Sequence, residues 1–236
     1  VYVVTLIWLV VAVDIARRLP ETTRFLRPHV VAPRLDRRRL ATIAAVAVGA
    51  NFFIAPASAF QNRYLDEVRG FSASTIAVFT LVTATPAALG LVIGGKLADV
   101  RGRRRLVAAG LPVATALVLA SFVVAGPLMW LAAFGGGFVG GIAYPALAVY
   151  RAELFPTGNR GRAAGILTTA ALLGGIGGLQ IVGRLLDRGL GYGAVIGITT
   201  IGQLVAVLVV WLRFPETAHR TLEELNPEDP SEATST

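Results

Sequence analysis

Long apolar stretches alternate with short polar ones along most of this chain. Six stretches carry at most one charged residue each and approach the roughly 20 residues that a helix needs to cross about 30 Å of hydrocarbon. They are residues 40–60, 75–94, 106–124, 128–150, 163–186 and 192–212. A seventh apolar run, residues 1–16, is shorter and carries Asp14. The pattern predicts an all-α membrane protein with six transmembrane helices, preceded by the inner end of a truncated helix.

Composition supports a membrane environment. Hydrophobic residues make up 55% of the chain, charged residues 15%, and the mean hydropathy is +0.67, outside the range usual for a soluble domain. A net charge of +8 would suit a soluble nucleic-acid binder. The basic residues, however, lie between apolar runs and not along one face, so we expect no nucleic acid. The absence of cysteine excludes disulfides, thiolate metal sites and cysteine nucleophiles.

The basic residues also predict an orientation. Eighteen of the 22 lysines and arginines fall in one set of loops and chain ends, and only Arg63, Arg69, Arg184 and Arg188 fall in the opposite set. Because basic residues are retained on the cytoplasmic side, we expect the first set, and the C-terminus, to be cytoplasmic. The chain is predicted to be a multi-pass protein of the cell membrane, and its arginine- and alanine-rich composition favours a bacterial inner membrane.

Four regions follow from these patterns. Residues 1–18 are predicted to be the inner end of a truncated helix, 19–39 a cytoplasmic connector, 40–213 the six-helix bundle and 214–236 a cytoplasmic tail, disordered from residue 227. A Pro-Glu-Thr triplet begins at Pro20 and again at Pro215, 195 positions later. A repeat of that period around six spans predicts a duplicated six-helix unit, of which the first is nearly all absent.

The loop after the second complete span carries the most specific motif, Gly-Lys-Leu-Ala-Asp-Val-Arg-Gly-Arg-Arg-Arg. It resembles the loop signature Gly-x-Leu-Ala-Asp-x-x-Gly-Arg-Arg/Lys of the major facilitator superfamily, which occurs once in each half of these transporters. The matching positions are Gly95, Leu97, Ala98, Asp99, Gly102, Arg103 and Arg104. Gly95 is predicted to let helices approach closely, and Gly102 to permit a sharp turn. Asp99 can pair with an arginine or cap a helix.

A second motif follows the fourth span. Residues 153–161 resemble the Glu-Leu-Phe-Pro-Thr-x-x-Arg-Gly segment of the same superfamily, with Glu153 and Arg160 at its charged positions. We expect Asp99, Arg103, Glu153 and Arg160 to form a cytoplasmic network that acts as a conformational latch together with Gly95, Gly102 and Arg104. Two alternatives stay open: a simple positive anchor, or separate solvated charges.

The end of the chain is similar to that of sugar-porter-like and metabolite-symporter members. Pro215 stops the last helix, and a short amphipathic helix is predicted within residues 217–225. The resemblance implies the C-terminal half of a twelve-helix transporter that moves a sugar, organic acid or drug-like solute by alternating access. It also implies partners: the lipid bilayer, the missing N-terminal half and the solute, with a proton as candidate coupling ion. No cofactor or metal is implied.

Polar side chains deep in the spans are the candidates for solute contact, because an unpaired polar group in hydrocarbon is unfavourable. In the superfamily, the cavity is lined mainly by the first, second, fourth and fifth helices of each half. The resemblance therefore favours Asn51, Thr83, Tyr144 and Gln180 over Gln203. Hydrogen bonding between helices is the alternative role for each.

Titratable residues are scarce at mid-membrane depth. None of the six complete spans carries an aspartate, glutamate or histidine there, so a proton-coupling carboxylate would belong to the missing half. The same scarcity predicts that the chain is not an enzyme. A second functional hypothesis is a non-transporting, half-size membrane protein that acts as a partner or scaffold.

Glycines spaced four apart predict close helix packing. The pairs are Gly90 and Gly94, Gly136 and Gly140, Gly137 and Gly141, and Gly174 and Gly178.

Overall fold

A computed structural model of the chain describes residues 11–15, 17–18, 35–218, 220 and 222–225. Residues 11–15 and 17–18 are helical and belong to a separate unit, residues 1–32, in which Arg18 Nε donates to Asp14 Oδ1 at 2.8 Å. Most of the predicted short first span and connector lies outside the described residues. So do the first Pro-Glu-Thr triplet and the tail from residue 227.

Six long helices form the second unit. They are α1 (Arg37–Glu67), α2 (Ala73–Arg101), α3 (Arg103–Ser121), α4 (Pro127–Glu153), α5 (Arg160–Asp187) and α6 (Tyr192–Arg213). A 3-10 turn, Thr157–Asn159, precedes α5, and a one-turn helix α7, Leu222–Leu225, follows α6. All six long helices have the length and hydropathy to cross a membrane. The predicted all-α, six-span membrane fold is confirmed.

Several helices extend past the apolar runs that predicted them. α1 begins three residues early because the Asp36 carboxylate accepts hydrogen bonds from Arg38 N at 2.8 Å and Arg39 N at 3.2 Å. These are N–H groups that a helix start leaves without partners. α2 likewise runs on from the predicted end at Gly94 to Arg101. In a membrane, helical hydrogen bonding satisfies the backbone wherever water is scarce, so the helix does not stop where hydrophobicity does.

The helices alternate in direction. One end of the bundle therefore carries the starts of α1, α3 and α5 and the ends of α2, α4 and α6, and we name it the arginine-rich end. The opposite end carries the α1–α2, α3–α4 and α5–α6 connections. Each end has its own buried cluster: Tyr150, Phe155 and Phe214 at the arginine-rich end, and Tyr64 and Tyr192 at the opposite end.

Glycines bring three helix pairs into backbone contact: α2 with α4, α1 with α5, and α1 with α6 at Gly49 and Gly202. A methyl group added at Gly94 would overlap the Ile142 carbonyl oxygen, and one at Gly174 would overlap that of Val48. Gly90, Gly137, Gly141 and Gly178 are equally restricted by the facing backbone. The prediction of close packing at these glycines is confirmed, and it agrees with the use of small residues between helices in lipid.

The outer surface of the bundle is apolar. Large hydrophobic side chains on α2, α5 and α6 are more than half exposed, including Leu81, Val92, Leu172 and Leu208. A soluble protein rarely exposes such contiguous apolar area, whereas a lipid-facing surface requires it.

Candidate functional site at the arginine-rich end

A single residue separates α2 from α3. Gly102 has φ +95° and ψ 137°, a conformation that residues with a Cβ rarely adopt. α2 ends at Arg101 and α3 begins at Arg103, so the chain reverses direction within one turn. This is the turn that the sequence predicted for Gly102, and it places Arg103 at the start of a helix.

The Arg103 side chain reaches three partners from different parts of the chain. Its guanidinium donates to Asp99 Oδ1 at 3.0 Å, to Thr217 Oγ1 at 3.0 Å and to the Glu153 carboxylate. The side chains of Arg103 and Glu153 are 12% and 16% exposed, whereas that of Asp99 is 67% exposed. Breaking a sheltered ion pair is far more costly than breaking an exposed one. The Arg103–Glu153 ion pair is therefore expected to contribute more to stability than the Arg103–Asp99 ion pair.

Glu216 caps the start of α3 from a distant part of the chain. Its Oε1 accepts from Arg103 N at 2.8 Å and Ala218 N at 3.2 Å, and its Oε2 accepts from Arg104 N at 3.1 Å. A carboxylate is favourable there because the first N–H groups of a helix lack internal partners and carry partial positive charge. Asp99 takes the other role predicted for it, pairing with an arginine.

Tyr150 holds the segment that carries Glu216. Its hydroxyl donates to the Pro215 carbonyl oxygen at 3.1 Å, and its ring packs edge-on against Phe214 with centroids 5.0 Å apart. Tyr150 is fully buried. The end of α4 thus positions the second Pro-Glu-Thr triplet against α3. We refer to Asp99, Arg103, Glu153, Glu216 and Thr217 as the Arg103 cluster.

Two other residues predicted for the latch have their described contacts elsewhere. Arg160 Nε donates to the Phe155 carbonyl oxygen at 3.1 Å, and the membership of Arg160 in the network stays a prediction. The prediction that Gly95 lets helices approach closely is wrong. A methyl group at Gly95 would meet open space, whereas one at Gly94 would overlap α4. Successive helical residues point about 100° apart, so only one of the two glycines can face the neighbouring helix.

Arg104 contributes through its backbone and through its side chain. Its N–H binds Glu216, and its guanidinium lies over the Trp211 ring, 5.1 Å from the centroid. Sequence reasoning assigned no role to Glu216, Thr217 or Trp211. The repeated triplet was a signal for the first two, but it indicated duplication and not contact.

Two of the four candidates for solute contact bond to their own helix. Asn51 Nδ2 donates to the Ala47 carbonyl oxygen at 3.1 Å, and Thr83 Oγ1 donates to that of Phe79 at 2.9 Å. Polar side chains in membrane helices commonly donate a hydrogen bond to a backbone carbonyl oxygen of their own helix. Both side chains are partly buried, and their solute contact stays a prediction.

The other two candidates differ in burial. Tyr144 on α4 is partly buried, and Gln180 on α5 is exposed. Gln203 on α6, which the resemblance disfavoured, is completely buried, and its side chain lies beside that of Tyr144.

The opposite end has a polar cluster of its own. The Tyr192 hydroxyl donates to Glu67 Oε2 at 2.6 Å and so ties α6 to α1. Arg69 Nε donates to the Tyr64 hydroxyl at 2.8 Å, its guanidinium binds the Val124 carbonyl oxygen, and it lies 5.2 Å from the Tyr64 ring centroid. The tyrosine rings pack together with centroids 5.5 Å apart. Here Arg69 and Glu67 bind tyrosine hydroxyls, and Glu67 also pairs with the exposed Arg63 at 2.7 Å.

A bundle of six membrane-length helices with a charge cluster at the turn between two of them defines a multi-pass membrane protein. The chain matches the model of the Major Facilitator Superfamily over residues 37–234, and it belongs to that superfamily. The family indicates a transporter and not an enzyme. No curated protein matches the chain.

Solved transporters share the fold at low sequence identity. The proton:xylose symporter XylE, bound to 6-bromo-6-deoxy-D-glucose, superposes with a TM-score of 0.67 and 19% identity, over 81% of this chain and 42% of its own. A double-tryptophan mutant of XylE gives 0.70 and 19%, over 84% and 45%. A mutant of the peptide transporter POT in complex with sulfate gives 0.63 and 18%, over 76% and 39%. The chain thus spans less than half the length of these transporters.

Proposed function

We propose that this chain forms one six-helix half of a secondary active transporter that moves a small solute across the cell membrane by alternating access. A second six-helix bundle completes the pathway. Residues 1–18 end a preceding helix, 19–39 connect the halves, 40–213 form the bundle and 214–236 the tail, with the arginine-rich end in the cytoplasm. Family membership and the six membrane-length helices support this arrangement.

The Arg103 cluster is the observation that carries the proposal. Its partners come from the end of α2, the end of α4 and the segment after α6. Hydrogen bonds and ion pairs between helix ends can break and re-form at low cost, because water replaces each partner when the ends separate. An apolar contact would instead expose hydrophobic surface to water. We infer that the cluster is a latch: closed when the cytoplasmic ends are together, and open when they part.

The solute class is a sugar, an organic acid or a drug-like molecule. The similar solved structures are of a xylose symporter and a peptide transporter, so xylose and a dipeptide are the first compounds to try. Asn51, Thr83, Tyr144 and Gln180 are the proposed contacts. A coupling proton would be carried by a carboxylate of the other half.

Uptake into proteoliposomes tests the proposal. The reconstituted full-length transporter is offered labelled xylose, a dipeptide, and then panels of sugars, organic acids and drugs. With a transported solute in hand, Asp99→Asn is expected to lower turnover and leave KM nearly unchanged, because Asp99 contacts Arg103 and not the solute. The control is Asp187→Asn, an exposed carboxylate at the opposite end, which is expected to change neither.

Unchanged turnover in Asp99→Asn would remove the latch. Failure to transport any compound of the panels, by protein that is folded and correctly inserted, would instead favour the non-transporting partner or scaffold.

A further inference from the structure

A groove of about 660 Å³ lies on the surface of the bundle between α3 and α6. It is lined by Arg105, Ala108 and Ala109 of α3 and by Leu204, Val207, Leu208 and Trp211 of α6. The groove exists because the side chains of Ala108 and Ala109 end at Cβ and do not fill it. Leu204 and Leu208 are 51% and 54% exposed, so the side of the groove that α6 forms is apolar and accessible.

The groove occupies one side of the membrane. Arg105 lies in the first turn of α3 and Trp211 in the last turn of α6, both at the arginine-rich end. Leu204 precedes Trp211 by seven residues, so at 1.5 Å per residue the groove runs inward for about 10 Å. One leaflet contributes about half of the 30 Å hydrocarbon core. The groove therefore matches the upper part of an acyl chain.

Arg105 supplies an exposed charge at the mouth of the groove. The described residues include no hydrogen-bond or ion-pair partner for it, whereas the guanidinium of Arg103 is bound to carboxylates and that of Arg104 lies on Trp211. The surrounding turn carries a surplus of positive charge. Residues 96–105 hold five cations, Lys96, Arg101, Arg103, Arg104 and Arg105, and one carboxylate, Asp99. Glu153 and Glu216 add two carboxylates through their contacts with Arg103.

We propose that an anionic phospholipid binds in this groove. One acyl chain lies against the alanines of α3 and the leucines of α6, and the lipid phosphate accepts hydrogen bonds from the Arg105 guanidinium, whose planar fork suits phosphate. The positive surplus selects an anionic headgroup over a zwitterionic one. Trp211 borders the groove at the level where tryptophan is enriched in membrane proteins. Because Arg104 lies on Trp211 and its N–H binds Glu216, the bound lipid adjoins the Arg103 cluster.

Quenching of Trp211 fluorescence by lipids with brominated acyl chains locates the site. The full-length protein, with every other tryptophan replaced by phenylalanine (Trp8 and Trp130 in this chain), is reconstituted in mixed vesicles with brominated phosphatidylglycerol or brominated phosphatidylcholine. One arginine at a membrane surface favours an anionic lipid by about fivefold in affinity. We expect phosphatidylglycerol to be preferred at Trp211 by about that factor.

Three variants sharpen the test. Arg105→Gln is expected to abolish the preference, and the control Arg38→Gln, an exposed arginine at the start of α1, to retain it. Ala109→Phe, at an exposed position, fills the groove and is expected to reduce quenching by both lipids. Equal quenching by the two lipids before substitution, or a preference that survives Arg105→Gln, would overturn the proposal. Absence of quenching by either lipid would also overturn it, and would show that another protein surface covers the groove.

Discussion

Both ends of the bundle contain buried aromatic pairs, Tyr150 with Phe214 at one and Tyr64 with Tyr192 at the other, and they differ in the polar contacts around these rings. At the arginine-rich end, Arg103 binds charged and hydroxyl partners from three segments, and a distant carboxylate caps α3. At the opposite end, Arg69 and Tyr192 form hydrogen bonds inside a cluster of aromatic rings. Packed rings lose area and dispersion contacts when separated, whereas ion pairs at an interface exchange partners with water. The comparison supports the proposal that contacts within this bundle exchange during transport at the first end and persist at the second.

The largest effect is expected from Arg103→Gln, which removes the centre of the Arg103 cluster. Glu153, 16% exposed, then loses the guanidinium of Arg103, and the loss of a hydrogen bond between charged groups costs about 1.5–3 kcal/mol. The free energy of unfolding in mixed micelles measures the loss. Arg101→Gln is the control, since the described residues include no partner for that exposed arginine, and a change below about 0.5 kcal/mol is expected. Equal losses of unfolding free energy in the two variants would show that the Arg103 cluster does not stabilise the bundle.

A double-mutant cycle isolates the cap at the start of α3. Glu216→Ala removes the acceptor of two helix N–H groups, at a cost of about 1 kcal/mol. Gly102→Ala places a methyl group against the Glu216 carboxylate at a backbone position with φ +95°, and costs about 1–2 kcal/mol. Because the methyl group and the carboxylate collide, the double variant is expected to be less destabilised than the sum. Strict additivity of the unfolding free energies would contradict the contact.

At the opposite end, Arg69→Gln is expected to lower the free energy of unfolding by about 1–2 kcal/mol, through lost hydrogen bonds and the lost cation–π contact. Turnover of the transporter should stay unchanged, since the contacts of Arg69 within this bundle are expected to persist in both states. Arg188→Gln, an exposed arginine at the same end, is the matched control for both measurements. A fall in turnover without a fall in stability would reverse the roles assigned to the two ends.

The smallest effect is expected from Tyr192→Phe. The substitution keeps the ring packing and removes one hydrogen bond to a partly exposed carboxylate, which contributes about 0.5–1 kcal/mol. A thermal unfolding curve of the purified protein resolves it as a small decrease in Tm. A decrease as large as that of Arg69→Gln would mean that the hydroxyl, and not the aromatic packing, holds this end.

The sequence predicted the fold better than the contacts at its ends. Runs of about 20 residues with at most one charge have few structures other than a helix in lipid, so the six spans were predictable. The role of Glu216 was not, because it lies 113 residues from Arg103 and only the packing of α3 beside α4 and α6 brings them together. Gly94 and Gly95 show that the sequence also leaves contacts between neighbouring helices undetermined. Hydropathy indicates a helix but not which of two adjacent glycines faces its neighbour.

The central claim is that the contacts of the Arg103 cluster break and re-form during transport, while the contacts at the opposite end of this bundle persist in both states. The most direct test compares initial uptake rates, in proteoliposomes, for Glu216→Ala and Tyr192→Phe, each corrected for the amount of folded protein. We predict that Glu216→Ala changes turnover at nearly constant KM and that Tyr192→Phe leaves both unchanged. Equal turnover in the two variants would contradict the account.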